Sequence, residues 1–354
     1  MFGIDLFAAP IWANVAVFVA AAAIIWNAGA RLVRVVDAIS DKTGMAKAFA
    51  GMLILGSITS APEISATLTS AGAGNPTLAI NNLLGSLSFN IIILVVADST
   101  IRQHALTAVI VGPSILLQGA LGIAAMAILA LAIIAGDTLV LGVGLWSTVL
   151  FAFMVFAFRL SSRYDTRSPW RTDRSVDPDE FSRIYGTPIL GKSRLEGWSL
   201  LGLIAATVGL ALVVLAAGVT LSRTADALAE QTGLGSGFTG LLLLGLATSL
   251  PELSTAIYAV RLRRFEMAIG EVLGANIFNL GIIFLADIAF GGPPILASAG
   301  TFEIAATLLP LLLTSILMVG LLEQRNRQLL GLGVDSWAML VVYLGGLGLL
   351  YGLS

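Results

Sequence analysis

Cysteine is absent from the chain, and histidine occurs once, at position 104. The first absence excludes disulfides and thiolate metal sites while leaving the redox compartment open, and the second excludes a multi-histidine metal centre. Charge is scarce as well. Asp, Glu, Lys and Arg make up 11% of the residues, against roughly 25% in an ordinary soluble domain. What is present instead is apolar: 57% of the 354 residues, with a mean hydropathy of +0.96. That composition places the chain in a bilayer, where one helical span takes about 20 apolar residues. Runs of that length recur densely enough for ten spans and leave little for a soluble domain. The N-terminal MFGIDLFAAP lacks a basic leader, so the first apolar run reads as a retained span rather than a cleaved signal.

The hydropathy pattern predicts an all-α membrane protein with helices near 10–29, 48–72, 79–97, 112–135 and 138–158, then 199–219, 237–260, 268–287, 301–322 and 333–353. The one long polar stretch, 159–198, contains Pro169, Pro178 and Pro188 among mixed charges and separates a first five-helix unit (1–158) from a second (199–354). Lys and Arg near span ends stay on the cytoplasmic side. Of the 19 basic residues, all but Arg223 fall in alternate connections of this scheme, which puts the central loop in the cytoplasm and both termini outside.

The two units are copies. Gly51 to Ser65 (GMLILGSITSAPEIS) answers Gly240 to Ser254 (GLLLLGLATSLPELS), an offset of 189 residues. Without a gap the same offset pairs Gly29 with Gly218, Asp37 with Asp226, Gly85 with Gly274, Asn90 with Asn279 and Asp98 with Asp287. An odd number of spans per copy inverts the second copy in the membrane, the arrangement of many secondary transporters, whose sites lie at the repeat interface on interrupted helices. Lipid-facing spans need only hydrophobicity, yet the matched mid-span positions include Thr, Ser, Pro, Glu and Asn.

Glu63 and Glu252 fall near the centres of their spans, where a charged side chain costs roughly 2.5 to 3.5 kcal/mol on insertion scales. No Lys or Arg stands at mid-span, so the compensating group is a proton, a cation, water or a neutral donor. Each glutamate follows a proline, Pro62 or Pro251, which frees the carbonyl four residues back, at Ile58 or Ala247, and strains the next, at Thr59 or Thr248. Hard cations take such ligands: calcium binds 6 to 8 oxygens from carboxylates, carbonyls and water. Thr59, Ser60, Thr248 and Ser249 lie three or four residues before the glutamates and share their helical face. Ser86 and Asn90 stand four apart in the next span, and Asn279 repeats Asn90. The glycines at 56, 85, 245 and 274 suit close helix approach. Asp98 and Asp287 end their spans and read as interfacial caps, Glu266 and Glu271 as a solvated helix start, with the lining of an access path as the alternative, and Asp37, Asp41 and Asp226 as polar connections.

The paired Thr-Ser-Ala-Pro-Glu (59–63) and Thr-Ser-Leu-Pro-Glu (248–252), each followed by a Gly-Ser or Gly-Ala span with an asparagine, resemble the alpha repeats (51–90 and 240–279) of the calcium/cation antiporter superfamily. The likeness covers most of both halves and is nearer the sodium/calcium exchanger branch than the cation/proton branch. It implies ten helices with alternating access, calcium held by the Glu63 and Glu252 carboxylates with the Thr59 and Thr248 carbonyls, and sodium drawing on Ser60, Ser249, Ser86, Asn90 and Asn279. Departures are Leu87 and Ala275 where relatives carry Asn and Ser, and Glu271 where asparagine is common. With asparagine at both 90 and 279, the site holds two carboxylates, which weakens the case for potassium co-transport.

The expectation is therefore a cation antiporter rather than an enzyme, exchanging calcium for sodium, with no cofactor, no nucleic-acid partner and membrane lipid around it. A calcium/proton exchanger is the main alternative, followed by a channel and by an intramembrane hydrolase built on Asp98 and Asp287. Protons should compete for the glutamates at low pH. The central loop could bind acidic lipid through its arginines but has no calcium-loop spacing. The compact form suggests a prokaryotic plasma membrane, and a monomer suffices.

Overall fold

In hydrocarbon every backbone N–H and C=O must be satisfied within its own segment, so apolar runs of this length become helices. A computed structural model describes residues 9–101, 104–108, 112–167, 195, 197–232, 245, 247–325 and 327–353. Its elements in the first half are α1 (Ile11–Thr43), α2 (Lys47–Ala50), a π-helical turn (Gly51–Leu55), α3 (Gly56–Thr59), α4 (Ala61–Gly72), α5 (Pro76–Asp98), α6 (Pro113–Ala135) and α7 (Leu145–Arg167). The second half comprises α8 (Leu200–Gln231), α9 (Leu250–Arg261), α10 (Phe265–Phe290), α11 (Thr301–Glu323) and α12 (Val334–Leu353). Eight of these helices are long and apolar enough to cross a membrane, and the bent pair Lys47–Thr59 and Ala61–Gly72 makes up to nine. The start of the span expected over 237–260 lies outside the described residues, as does most of the central loop.

Several boundaries differ from expectation for physical reasons. Helix α1 does not stop near 29 but runs 33 residues, with Lys42 in its last turn, and ends where Gly44 takes a left-handed φ of 70°. At 1.5 Å per residue it is about 50 Å long, well beyond the apolar core. Asp37 and Asp41 therefore sit on a helix extension rather than in a connection. Both carboxylates contact Lys47 at 2.6 Å, and Asp37 also meets Arg264 at 2.7 Å, joining the two halves. The span expected from 138 begins only at Leu145, because Leu139–Val140 (β1) and Val143–Gly144 (β2) form a small antiparallel hairpin. Its repeat mate pairs Gln328–Leu329 (β3) with Leu332–Gly333 (β4). Both turns carry two successive positive-φ residues, Leu141-Gly142 and Leu330-Gly331, the requirement of a type I′ turn.

Burial sorts the helices into layers. In α5 and α10, 78% and 72% of the apolar window is buried, against 22% in α1 and α8. Helices α5 and α10 form the centre, α1 packs along α8 on the outside, and α4 and α9 lie between them. Close approach at the centre needs glycine: a Cβ on Gly274 would meet Met52 Cα at 2.5 Å, and one on Gly56 would meet Ala275 N at 2.9 Å.

The terminal aspartates act as caps, in matched fashion. Asp98 accepts from the amides of Leu106 (2.6 Å) and Gly333 (2.9 Å) and from Ser336 Oγ (2.7 Å). Asp287 accepts from Ile295 (2.8 Å), Gly144 (2.6 Å) and Ser147 Oγ (2.7 Å). Each aspartate thus binds the hairpin of the other half. Each carboxylate accepts three hydrogen bonds from the segments it ties together, as a cap does.

Candidate ion-binding site

Pro62 and Pro251 cannot continue the helical ladder, and each becomes the second residue of a new helix, α4 or α9, after a break at Ser60 (φ −75°, ψ 3°) or Ser249 (φ −89°, ψ 8°). The first break bends its span by 45°. Each glutamate consequently lies in the first turn of a half-helix, where unpaired amides and the helix dipole favour negative charge. The end of the preceding segment, at Thr59 or Thr248, turns carbonyls toward the break, the end that suits a cation. A π-helical turn at Gly51–Leu55 precedes the first break, a distortion that often accompanies functional sites.

All nine residues singled out in the sequence are fully buried: Thr59, Ser60, Glu63, Ser86, Asn90, Thr248, Ser249, Glu252 and Asn279 are each 0% exposed. Each glutamate faces a serine of the other half. Ser60 Oγ lies 3.4 Å from Glu252 Oε1, and Ser249 Oγ lies 3.5 Å from Glu63 Oε1. These contacts are long for hydroxyl–carboxylate bonds. Neither carboxyl forms an ion pair among the described residues. Thr59 and Thr248 hydroxyls donate to backbone carbonyls of their own helices, Leu55 at 3.0 Å and Gly245 at 3.2 Å. Ser86 Oγ likewise donates to Asn82 O at 3.1 Å. Each hydroxyl has one hydrogen to give and keeps lone pairs that can accept.

On the central helices, Asn90 Nδ2 donates to Asn276 Oδ1 at 3.0 Å, and Asn276 Nδ2 donates to Leu87 O at 3.1 Å. Of the nine residues, those with a buried oxygen lacking a hydrogen-bond partner are Glu63 (Oε2), Glu252 (Oε2), Asn90 (Oδ1) and Asn279 (Oδ1). Unpaired buried oxygens are costly unless something positive meets them, and this donor set of hard oxygens suits alkali and alkaline-earth cations.

Sequence reasoning overlooked Asn276, which aims Asn90. The signal was available, since Asn276 ends the Gly274-Ala275-Asn276 triplet. The reading of Glu271 as a solvated helix start is corrected by its complete burial. Glu266 accepts from the amide of Gly112 at 2.6 Å and anchors the start of α6. Of the glycines expected at close contacts, 56 and 274 are placed so.

The family described as "Sodium/calcium exchanger protein" matches residues 13–170 and 199–352 of this chain. CaxA of Alkalimonas amylolytica, named a candidate antiporter, is 27% identical over 339 residues, covering 94% of this chain and 97% of that protein. Inner membrane protein YrbG of Escherichia coli K12 is 27% identical over 331 residues, 92% of each chain. Among solved structures, the sodium-calcium exchanger NCX_Mj soaked with 10 mM Na+ and zero Ca2+ superposes with a TM-score of 0.71 at 16% identity, covering 96% of this chain and 99% of the other. That likeness shows a shared fold.

Proposed function

The chain belongs to the sodium/calcium exchanger family, and from that membership we propose that it exchanges calcium for sodium by alternating access. It is an integral membrane transporter and not an enzyme. The proposal takes ten helices as two inverted five-helix repeats, with the ion site at their interface near the midplane. The termini lie outside and the central loop in the cytoplasm of a prokaryotic plasma membrane.

The crossed pairs Ser60–Glu252 and Ser249–Glu63 carry the reading. A site whose every acidic group is faced by a hydroxyl from the other repeat is altered whenever the repeats move against each other. The Glu63 and Glu252 carboxylates with the Thr59 and Thr248 carbonyls supply calcium's oxygens, and Ser60, Ser249, Ser86, Asn90 and Asn279 complete sodium positions. Two ionised glutamates carry −2, which one calcium or two monovalent cations neutralise, so the ions compete. An empty, charged site is costly to carry through a closed intermediate, and this bias favours exchange over leak.

The test is calcium-45 uptake into vesicles holding the purified chain, driven in turn by sodium, proton and potassium gradients. Sodium-driven uptake is expected, abolished in Glu63→Gln/Glu252→Gln. Uptake driven by a pH gradient alone selects calcium/proton exchange instead, and persistence of uptake in the double variant refutes the site.

A further inference from the structure

The repeat equates Asn82 of α5 with Glu271 of α10, and the structure gives the two different company. Asn82 Nδ2 donates to Thr67 Oγ1 at 3.1 Å, a neutral pair. Glu271 Oε1 touches Thr255 Oγ1, its Oε2 has no hydrogen-bond partner, and the residue is fully buried. Thr255 lies one turn beyond Glu252 on α9, toward Arg261, Arg263 and Arg264. Glu271 therefore stands between the two-glutamate site and that face of the protein. Glu252 is the acidic residue linked to it through Thr255, whose hydroxyl also lies against the Glu252 carbonyl, and no cationic side chain pairs with Glu271 among the described residues.

Counting hydrogens sharpens the point. Thr255 Oγ1 also lies 2.8 Å from Pro251 O and 3.1 Å from Glu252 O. A hydroxyl has one hydrogen, and carbonyls only accept. If that hydrogen goes to either carbonyl, the contact with Glu271 needs a second hydrogen, carried by the carboxyl itself. If it goes to Glu271 instead, the carboxylate keeps one bond and a bare oxygen in apolar surroundings, which is untenable without a nearby positive charge. Either arrangement calls for one positive charge at Glu271, whereas Asn82, on the other side of the pseudo-symmetry, is a neutral amide with no charge to balance, although its Oδ1 is also without a hydrogen-bond partner.

We propose that Glu271 is a third ion-carrying carboxyl, which takes up one monovalent cation in each transport cycle beside the Glu63–Glu252 site. The inference rests on the exchange reading given above. It changes the charge count: three ionised carboxylates carry −3, so calcium alone leaves the loaded site at −1, and calcium with one monovalent cation makes it neutral. The asymmetry also has a direction, since the extra carboxyl lies only on the side of the Arg261–Arg264 turn. Sodium and the proton share this chemistry, and the experiment separates them.

Calcium-45 uptake is measured in vesicles containing the wild-type chain or Glu271→Gln, across a sodium series at fixed pH and a pH series at fixed sodium. Uptake should persist in the variant at a reduced rate, with the order of its sodium dependence lowered by about one ion if sodium is carried. If the proton is carried, the variant instead loses one titration from its pH profile and keeps the low-pH inhibition that competition at Glu63 and Glu252 produces. Unchanged sodium order together with an unchanged pH profile overturns the proposal. Should the variant fail to insert, the wild-type chain is treated with dicyclohexylcarbodiimide, which labels buried protonated carboxyls, and the labelled peptides are mapped. Label on Glu271 that sodium or high pH suppresses supports the proposal, and absent or cation-insensitive label overturns it. Failure of wild-type uptake under every gradient would count against the exchange reading itself, while the labelling still reports on Glu271.

Discussion

Substituting Gly274 by alanine tests whether the site depends on how closely the two repeats cross. The added Cβ would stand 2.5 Å from Met52 Cα, 2.6 Å from Met52 O and 2.7 Å from Met52 Cγ, whereas carbon atoms settle at about 3.5 to 4.0 Å. Two of those three atoms are backbone, inside the π-helical turn, and cannot rotate away. Helix α10 must therefore retreat by about 1 Å. Overpacking of this kind costs about 1 to 3 kcal/mol, and the backbone clash argues for the upper part of that range. The same displacement carries Asn276 and Asn279 away from Asn90 and the glutamates, and metal–oxygen distances tolerate only about 0.2 Å. Apparent calcium affinity should drop about tenfold or more, the equivalent of about 1.4 kcal/mol. Gly281→Ala on the same helix is the control. Its Cβ would run into the Met154 side chain, an unbranched thioether that can swing aside, so affinity should stay within about threefold. Calcium-45 uptake against calcium concentration, with thermal unfolding in detergent run in parallel, reads both effects. If Gly274→Ala transported with wild-type affinity, the close crossing would have no bearing on the ion site.

Ser60→Ala and Ser249→Ala each remove one hydroxyl facing a glutamate of the other repeat; each should weaken ion dependence by about 1 kcal/mol, or about fivefold, and by similar amounts. A large effect in one and none in the other would contradict the symmetric site. Asp287→Asn puts an amide NH2 or a poorer acceptor against the Gly144 amide and the Ser147 hydroxyl. Thermal stability should fall by about 1 to 3 kcal/mol with the ion dependence of the surviving transport unchanged, and altered ion selectivity would show that the cap belongs to the site.

Hydropathy runs, the 189-residue offset and the two Thr-Ser-x-Pro-Glu segments were legible in the sequence because each is local, or is a comparison of two local patterns. A proline forces its break wherever the helix goes, so interruptions just before Pro62 and Pro251 followed from where those prolines stand, while the structure put them at Ser60 and Ser249. The length of α1 was not legible in the same way, because a hydropathy window ends where charge begins and a helix does not. Residues 30–43 stay helical on an extension whose charges pair with Lys47 and Arg264.

Sequence by itself determined that the chain spans a bilayer, that its halves are copies, and that two mid-span glutamates need a compensating group. Those conclusions need only transfer costs and periodicity. Which serine faces which glutamate, that Asn276 aims Asn90, and that Glu271 is buried rather than solvated were decided only by tertiary structure. Contacts such as Ser60–Glu252, 192 positions apart, depend on how the two halves pack, and no local pattern encodes the face that a helix turns toward its twin.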